Sequence, residues 1–210
     1  LIKVRGLSTV FGPRPQEALA RARAGVDRTT LFAQGHTLAL HEIDLDIRAG
    51  EIFVVMGLSG SGKSTLVRHI NRLIEPTAGR ISIGGLDVSA MNHDQLIELR
   101  RKRLSMVFQG SGLLDHLSVL DNVALGLELR GVRLDQREAM ASRWIERVSL
   151  QGFERHHPSQ LSGGMRQRVG LARALCSETD IILMDEAFSA LDPLIRSQLQ
   201  TELLTLQAEL

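Results

Sequence analysis

The first segment that could do chemistry is rich in glycine. It matches the pattern G-x-x-x-x-G-K-[ST] and reads Gly57, Leu58, Ser59, Gly60, Ser61, Gly62, Lys63 and Ser64. Small residues let successive backbone N–H groups face an anion, because few Cβ atoms obstruct it. The Lys63 ammonium can then reach the β- and γ-phosphates of a nucleotide, and the Ser64 hydroxyl can ligate Mg²⁺. The alternative is a glycine-rich turn with a solvated lysine.

The sequence around this segment has the context that a phosphate loop requires. The apolar run 52–56 predicts a strand buried on both faces. A helix predicted over about 63–73 points the positive end of its dipole at the anion. We therefore predict that residues 57–64, together with Thr65, bind ATP and Mg²⁺.

Two adjacent acids form the second candidate site. Asp185 and Glu186 follow the apolar run 181–184, which predicts a buried strand. Carboxylates at the end of such a strand lie where α/β folds bind ligands. Asp185 is expected to hold Mg²⁺ opposite Ser64, and Glu186 to polarise the attacking water. Two solvated acids are the alternative, which becomes weak once the phosphate loop is considered.

Composition limits the other classes of function. The 210 residues are 43% hydrophobic and 23% charged, which is typical of a globular chain. A net charge of +1 gives no electrostatic reason to expect nucleic acid as a partner. The single Cys176 excludes an internal disulfide. No apolar run approaches the roughly 20 residues of a membrane-spanning helix, so any membrane role requires a partner.

The elements around these motifs alternate between strands and helices, which predicts an α/β fold with a parallel central sheet. The Arg- and Ala-rich stretch 13–35 is predicted to be a helical insertion, and about 111–160 a helical subdomain inserted into the sheet. Asp192 and Pro193 have the side chains preferred at a helix start. The other predicted elements are strands at 2–11, 38–47 and 104–108, a hairpin at 80–87 with its turn at Gly84 and Gly85, a mostly helical block at 118–150 and a helix at 162–175.

A third motif indicates the family. Its residues are Leu161, Ser162, Gly163, Gly164, Met165, Arg166 and Gln167, and they resemble the signature motif of ABC ATPases. Ser189 to Asp192 resembles the family's D-loop, and Gln109 resembles its Q-loop glutamine. Over residues 1–210 the chain therefore resembles an ABC ATPase domain. The resemblance implies a P-loop NTPase with a parallel core sheet, an N-terminal antiparallel β subdomain and an inserted helical subdomain.

The resemblance also implies roles in a head-to-tail dimer of two copies. Ser162, Gly163 and Gly164 would contact the γ-phosphate held by the partner copy's loop, with Leu161, Met165 and Gln167 completing the motif. Ser162 also has the side chain of an N-cap, which would direct the helix dipole at that anion. An ordinary capped helix is the alternative.

Four further positions take roles from the resemblance, each beside a simpler interpretation. Gln109 would contact Mg²⁺ and the attacking water and link them to the membrane partner, or be only a polar residue at a strand end. Ser189 and Asp192 would act in the D-loop, and Asp192 would also cap a helix. Phe11 lies where the family stacks an aromatic ring on adenine; an ordinary core phenylalanine is the alternative.

Longer runs resemble one branch, the bacterial importers of glycine betaine, proline and related osmoprotectants. These runs are 56–64, 71–77 and 184–196, and the insertion 13–35 resembles that branch as well. The implied partners are an integral membrane permease and, indirectly, a solute-binding protein, with the chain at the cytoplasmic face of the bacterial inner membrane. Departures from the pattern occur at 110–112, Asp115 and Arg166. The alternatives are import of another small solute such as methionine, a non-transport ABC ATPase, and a module that senses ATP without hydrolysis.

One expected residue does not occur in the sequence. The family's switch histidine follows one strand after the acidic strand, but all seven histidines here precede Asp185. We therefore expect the parent protein to continue beyond Leu210.

Overall fold

The first unit of the structure, residues 1–96, is built on an antiparallel sheet of four strands. The computed structural model describes residues 1–188 and 191–209. The strands lie in the order β2-β1-β3-β4 and span Ile2–Phe11 (β1), Thr37–Ile47 (β2), Ala78–Ile83 (β3) and Leu86–Asp87 (β4). The alternating pattern at 38–47 and the hairpin predicted at 80–87 are thereby confirmed as antiparallel strands.

Two short helices, α1 (Pro15–Arg23) and α2 (Arg28–Ala33), lie between β1 and β2. The Asp27 carboxylate caps α2 by accepting a hydrogen bond of 2.9 Å from the Thr30 N–H. Apolar side chains of both helices, such as Leu19 and Leu31, are buried with Val10 of β1. The stretch 13–35 therefore has its own small core, which includes Val10 of β1.

The apolar run 52–56 is the main error of the sequence prediction. Residues 51–58 form no strand, and the side chains of Ile52, Val54 and Met56 are 51%, 69% and 87% exposed. A strand requires a neighbour that supplies ladder hydrogen bonds. In the described part of the first unit no strand pairs with this run. Hydrophobicity thus indicated where a strand could be buried, but not whether a partner strand lies beside it.

The helix after the phosphate loop, α3, spans Lys63–Ile70 and is shorter than predicted. Asn71 ends it, and the Asn71 side chain accepts a hydrogen bond of 3.2 Å from the Leu73 N–H. The helix therefore ends at a local cap, before Pro76 and Gly79, the residues expected to stop it.

His69, in the last turn of α3, is fully buried as a neutral ring. Its Nδ1 donates to the Thr65 carbonyl at 2.6 Å, so its Nε2 accepts from the Thr9 hydroxyl at 2.8 Å. Burial lowers the pKa of His69. The His69 ring of the unfolded chain therefore binds a proton more readily than the buried ring does. The stability contributed by the neutral ring is present above about pH 6.5 and is lost as pH falls through the lowered pKa.

We expect His69→Asn to reduce the loss of unfolding free energy between about pH 7.5 and pH 5.5, because the titrating ring is gone. Urea unfolding at both pH values measures this loss. His93→Asn, at an exposed position, is the control and should keep the wild-type dependence on pH. An identical loss in wild type and His69→Asn would show that the buried ring does not control it.

The second unit, residues 97–210, contains a parallel pair of strands and most of the helices. Strands β5 (Leu104–Val107) and β6 (Ile181–Met184) pair in parallel, with Val107 opposite Met184. Their positions agree with the strands predicted at 104–108 and 181–184. The helices follow in the order α5 (Val119–Leu129), α6 (Leu134–Arg147), α7 (Gly163–Cys176) and α8 (Pro193–Glu209).

Helices α5, α6 and α7 form the core of the second unit with residues such as Val123, Ile145 and Val169. The α5–α7 contact is close, because a Cβ atom at Gly126 would lie 2.2 Å from the Ser177 hydroxyl oxygen. Burial raises the pKa of Cys176 to about 12, so this thiol is a core residue and not a nucleophile.

Helix α4 (His93–Arg103), which crosses the boundary between the units, was missing from the sequence prediction. Asn92 and Gln95 exchange hydrogen bonds at its start, since each side chain accepts from the other residue's N–H at 3.0 and 2.9 Å. This reciprocal cap was visible in the sequence as N-x-x-Q.

Across residues 1–188 and 191–209, none of the helices is both long enough and apolar enough to span a bilayer.

Candidate nucleotide-binding site

The phosphate loop of the first unit requires glycine at two of its positions. Gly62 is the N-cap of α3 with φ of +93°, and a Cβ atom there would lie 2.8 Å from the Ala39 carbonyl oxygen. Gly60 has φ of +77°, a left-handed backbone that other residues rarely adopt. The Ser61 N–H donates to the Leu58 carbonyl at 3.2 Å and closes the loop as a turn.

Lys63 places its ammonium against this turn. Its Nζ donates to the carbonyls of Gly57 and Leu58 at 2.9 and 2.8 Å. The first N–H groups of α3, including those of Ser64 and Thr65, have no acceptor within the helix itself. The Lys63 ammonium and the N-terminus of α3 thus lie at the same glycine-rich loop. Both attract negative charge, so the loop suits the phosphates of a nucleotide.

Phe11 lies on the strand next to the one that contacts the phosphate loop. It is the last residue of β1, is 44% exposed and pairs with Thr37 of β2. Ala39, whose carbonyl oxygen lies against Gly62, is two residues further along β2. At roughly 3.3 Å per residue, the pair that contains Phe11 is about 7 Å from this contact. The Phe11 side chain is therefore partly open to solvent, two residues along the sheet from the position that contacts the loop.

In the second unit, the structure brings Gln109 and Glu186 together. Strands β5 and β6 end side by side, and the Asp185 N–H donates to the Val107 carbonyl at 2.9 Å. Just beyond, the Gln109 Nε2 donates to the Glu186 Oε2 at 2.7 Å.

The two acids differ in environment and backbone. Asp185 is 2% exposed, whereas Glu186 is exposed and has φ of +50°. Left-handed backbone at a residue other than glycine is uncommon and concentrates at functional sites. The turn after β6 therefore presents the Glu186 carboxylate, and not that of Asp185, to solvent.

The signature residues lie at the start of α7. Ser162 is confirmed as the N-cap, since its hydroxyl accepts from the Met165 N–H at 3.2 Å. Gly163 and Gly164 form the first turn, and Leu161, which precedes the cap, is buried. The Gln167 side chain, one turn further along, donates to the Glu186 carbonyl at 3.3 Å.

Asp192 begins α8, because its carboxylate accepts from the Ile195 N–H at 3.0 Å. This confirms the predicted cap. The other D-loop residue, Ser189, lies outside the described residues.

Sequence reasoning missed Arg173, which lies in the last turns of α7. Its guanidinium donates to the carbonyls of Ser111 and Gly112 at 3.0 and 2.8 Å. The available signal was an arginine between the buried residues Ala172 and Ala174 of the helix.

In the part of the chain that the structure describes, no three His, Cys, Asp or Glu side chains converge as in a preformed metal site. Mg²⁺ in nucleotide sites is usually bound by one or two carboxylates together with phosphates and water. Ser64 of the first unit and Gln109 and Asp185 of the second, the donors predicted from the sequence, are each of a residue type that suits this mode of binding.

Comparison with known proteins places these motifs in a family. The model of the family described as "ABC transporter" matches residues 40–189. The glycine betaine transport ATP-binding protein OpuAA of Bacillus subtilis is 53% identical over 98% of this chain and 49% of its own length. The glycine betaine/proline betaine transport system ATP-binding protein ProV of Escherichia coli is 48% identical over 99% of this chain and 52% of its own length.

A solved structure, the dimeric form of a bacterial ABC transporter cassette, matches this chain with a TM-score of 0.86 and 30% sequence identity. The match covers 100% of this chain and 84% of the cassette's chain. The post-hydrolysis state of that cassette, bound to ADP and Pi, matches equally well. The prediction of a P-loop NTPase fold is therefore confirmed. The chain spans about half the length of the curated relatives that it matches. Its phosphate loop, acidic strand and signature residues, together with these matches, show that the chain belongs to the ABC transporter family.

Proposed function

We propose that this chain is the ATP-binding and ATP-hydrolysing part of a bacterial importer for glycine betaine, proline or a related osmoprotectant. The phosphate loop carries the proposal of ATP binding, because glycine positions, helix N-terminus and the Lys63 ammonium converge there. The curated relatives, which are named as glycine betaine transport proteins, support the choice of solute.

The loop from Gly57 to Ser64, with Thr65, would bind the phosphates of ATP. Lys63 would exchange its contacts with the two loop carbonyls for the β- and γ-phosphates, which are stronger acceptors because they are charged. Phe11 would stack on adenine, a role that its 44% exposure and its register opposite Thr37 support.

Hydrolysis would depend on Gln109 and Glu186, which follow the ends of β5 and β6. Glu186 would accept a proton from the attacking water, and the Gln109 amide would orient the Glu186 carboxylate. We propose Ser64, Gln109 and Asp185 as the donors to Mg²⁺, which would neutralise phosphate charge. The order of the motifs in the chain and the chemistry of these donors support this assignment.

We further propose that two copies of the chain pair head to tail. Ser162, Gly163 and Gly164 would bind the ATP held by the other copy's loop, because the first N–H groups of α7 have no acceptor within the helix itself and the helix dipole is positive there. The similar solved cassette is dimeric, which supports this arrangement.

The remaining partners would be an integral membrane permease and, through it, a solute-binding protein. The chain would lie at the cytoplasmic face of the bacterial inner membrane as a peripheral subunit. The relatives named as parts of transport systems support this assembly. The helical segment around 111–160, which contains α5 and α6, is proposed as the subdomain that contacts the permease.

Reconstitution of the full-length protein with its membrane subunits in liposomes tests this proposal. We expect added glycine betaine to stimulate ATP turnover in the presence of the solute-binding protein, and an equal concentration of methionine to leave it at the basal rate. Stimulation by methionine alone would instead assign the chain to another importer branch. Basal turnover indifferent to every small solute would contradict a role in import.

A further inference from the structure

One face of α7 contacts the segments that follow β5 and β6. Gln167 donates to the Glu186 carbonyl at 3.3 Å, and Arg173 donates to two carbonyls beyond Gln109. Between them, Gly170 lies so close to Ser111 that a Cβ atom would be 3.1 Å from the Ser111 carbonyl oxygen. Positions three residues apart are neighbours on the surface of a helix, so these three residues form a slanted row along α7. Helix α7, which begins at the signature motif, therefore contacts both the segment that follows Gln109 and the turn that contains Glu186.

The two carbonyls held by Arg173 belong to a segment outside the regular helices and strands. Residues 110–112 form no helix or strand, and Ser111 has φ of +46° between two glycines. Such a segment has many accessible conformations. A planar guanidinium that binds two successive carbonyls at once removes much of this freedom.

The surroundings of Arg173 indicate that holding these carbonyls is its main interaction. Among residues 1–188 and 191–209, it forms no ion pair with a carboxylate. Burial lowers the pKa of Arg173, so the cation is partly desolvated without a counter-ion. Hydrogen bonds to the Ser111 and Gly112 carbonyls are what offset this cost.

Gln109 lies directly before this segment. Its amide is 2.7 Å from the Glu186 carboxylate, and Gly110 alone separates it from the residues that Arg173 holds. We propose that Arg173 is a positioning residue: it fixes residues 111 and 112 so that the Gln109 amide stays on Glu186. This inference rests on the proposed function, in which Gln109 and Glu186 act in hydrolysis.

A double-mutant cycle in the full-length protein tests the proposal. We expect Arg173→Met and Gln109→Ala each to lower steady-state ATP turnover, by up to about 100-fold as for a misplaced group, with little change in ATP affinity. The double variant should be no slower than Gln109→Ala alone, because Arg173 acts through Gln109. If Arg173→Met instead lowered turnover by destabilising the fold, its loss of turnover would add to that of Gln109→Ala in the double variant.

Arg103→Met is the matched control. Arg103 donates to Asp180 at 2.8 Å and lies at the opposite, starting end of β5 and β6. The same chemical change at that end should leave turnover at the wild-type level. If Arg173→Met is too unstable to assay, Arg173→Lys takes its place in the cycle, since an ammonium lacks the fork that binds both carbonyls.

The outcomes separate this inference from the proposed function. Suppose that Gln109→Ala is slow. If Arg173→Met then keeps wild-type turnover, or if the losses of turnover in the two single variants add fully in the double variant, the positioning role is overturned and the proposed function stands. Wild-type turnover in Gln109→Ala would contradict the proposed role of Gln109 itself and the inference with it. A slow Gln109→Ala variant with no further loss in the double variant supports both.

Discussion

Glu186→Gln is expected to remove nearly all ATP turnover of the full-length protein while ATP binding survives. A carboxamide cannot accept a proton from the attacking water, and a general base contributes about 10²- to 10⁴-fold to such reactions. The change preserves the shape of the side chain and an oxygen that can accept from the Gln109 amide. Phosphate release measures turnover, and titration with ATP measures binding.

Glu178→Gln is the control for this variant. Glu178 is exposed and has φ of +46°, close to the φ of +50° at Glu186, but it precedes β6 instead of following it. It matches the change in charge and in backbone setting, so its turnover should stay close to that of wild type. Unchanged turnover in Glu186→Gln would remove Glu186 from the role of base and leave the site as one for binding alone.

The features that were predicted correctly from the sequence depend on short-range chemistry. Ser162 and Asp192 were expected to cap helices, and each accepts a hydrogen bond from the N–H three residues later. A cap involves residues within one turn, so the sequence contains all the information it requires. The same holds for Gly62, which lies at the start of α3 with left-handed backbone, as a phosphate loop requires.

The features that were missed depend on partners distant in the chain. The run 52–56 has the composition of a buried strand, but pairing depends on which other strands lie beside it. Arg173 contacts Ser111 and Gly112 across 62 and 61 residues of sequence, so its role cannot be read from its neighbours in α7. Composition indicated which residues could be buried or charged; the fold decided what they contact.

Lys63→Ala is expected to weaken ATP binding by about 10- to 100-fold, because a hydrogen bond to a charged group contributes about 1.5–3 kcal/mol. The variant also removes the contacts of Nζ with the Gly57 and Leu58 carbonyls, which brace the loop. Thermal unfolding without nucleotide reports the loss of this brace, and calorimetric titration of the full-length protein reports the loss of phosphate contacts. Lys102→Ala, which removes an exposed lysine paired with Glu98, is the control and should bind ATP as wild type does. Undiminished affinity in Lys63→Ala would discredit the phosphate loop and, with it, the assignment of ATP to this chain.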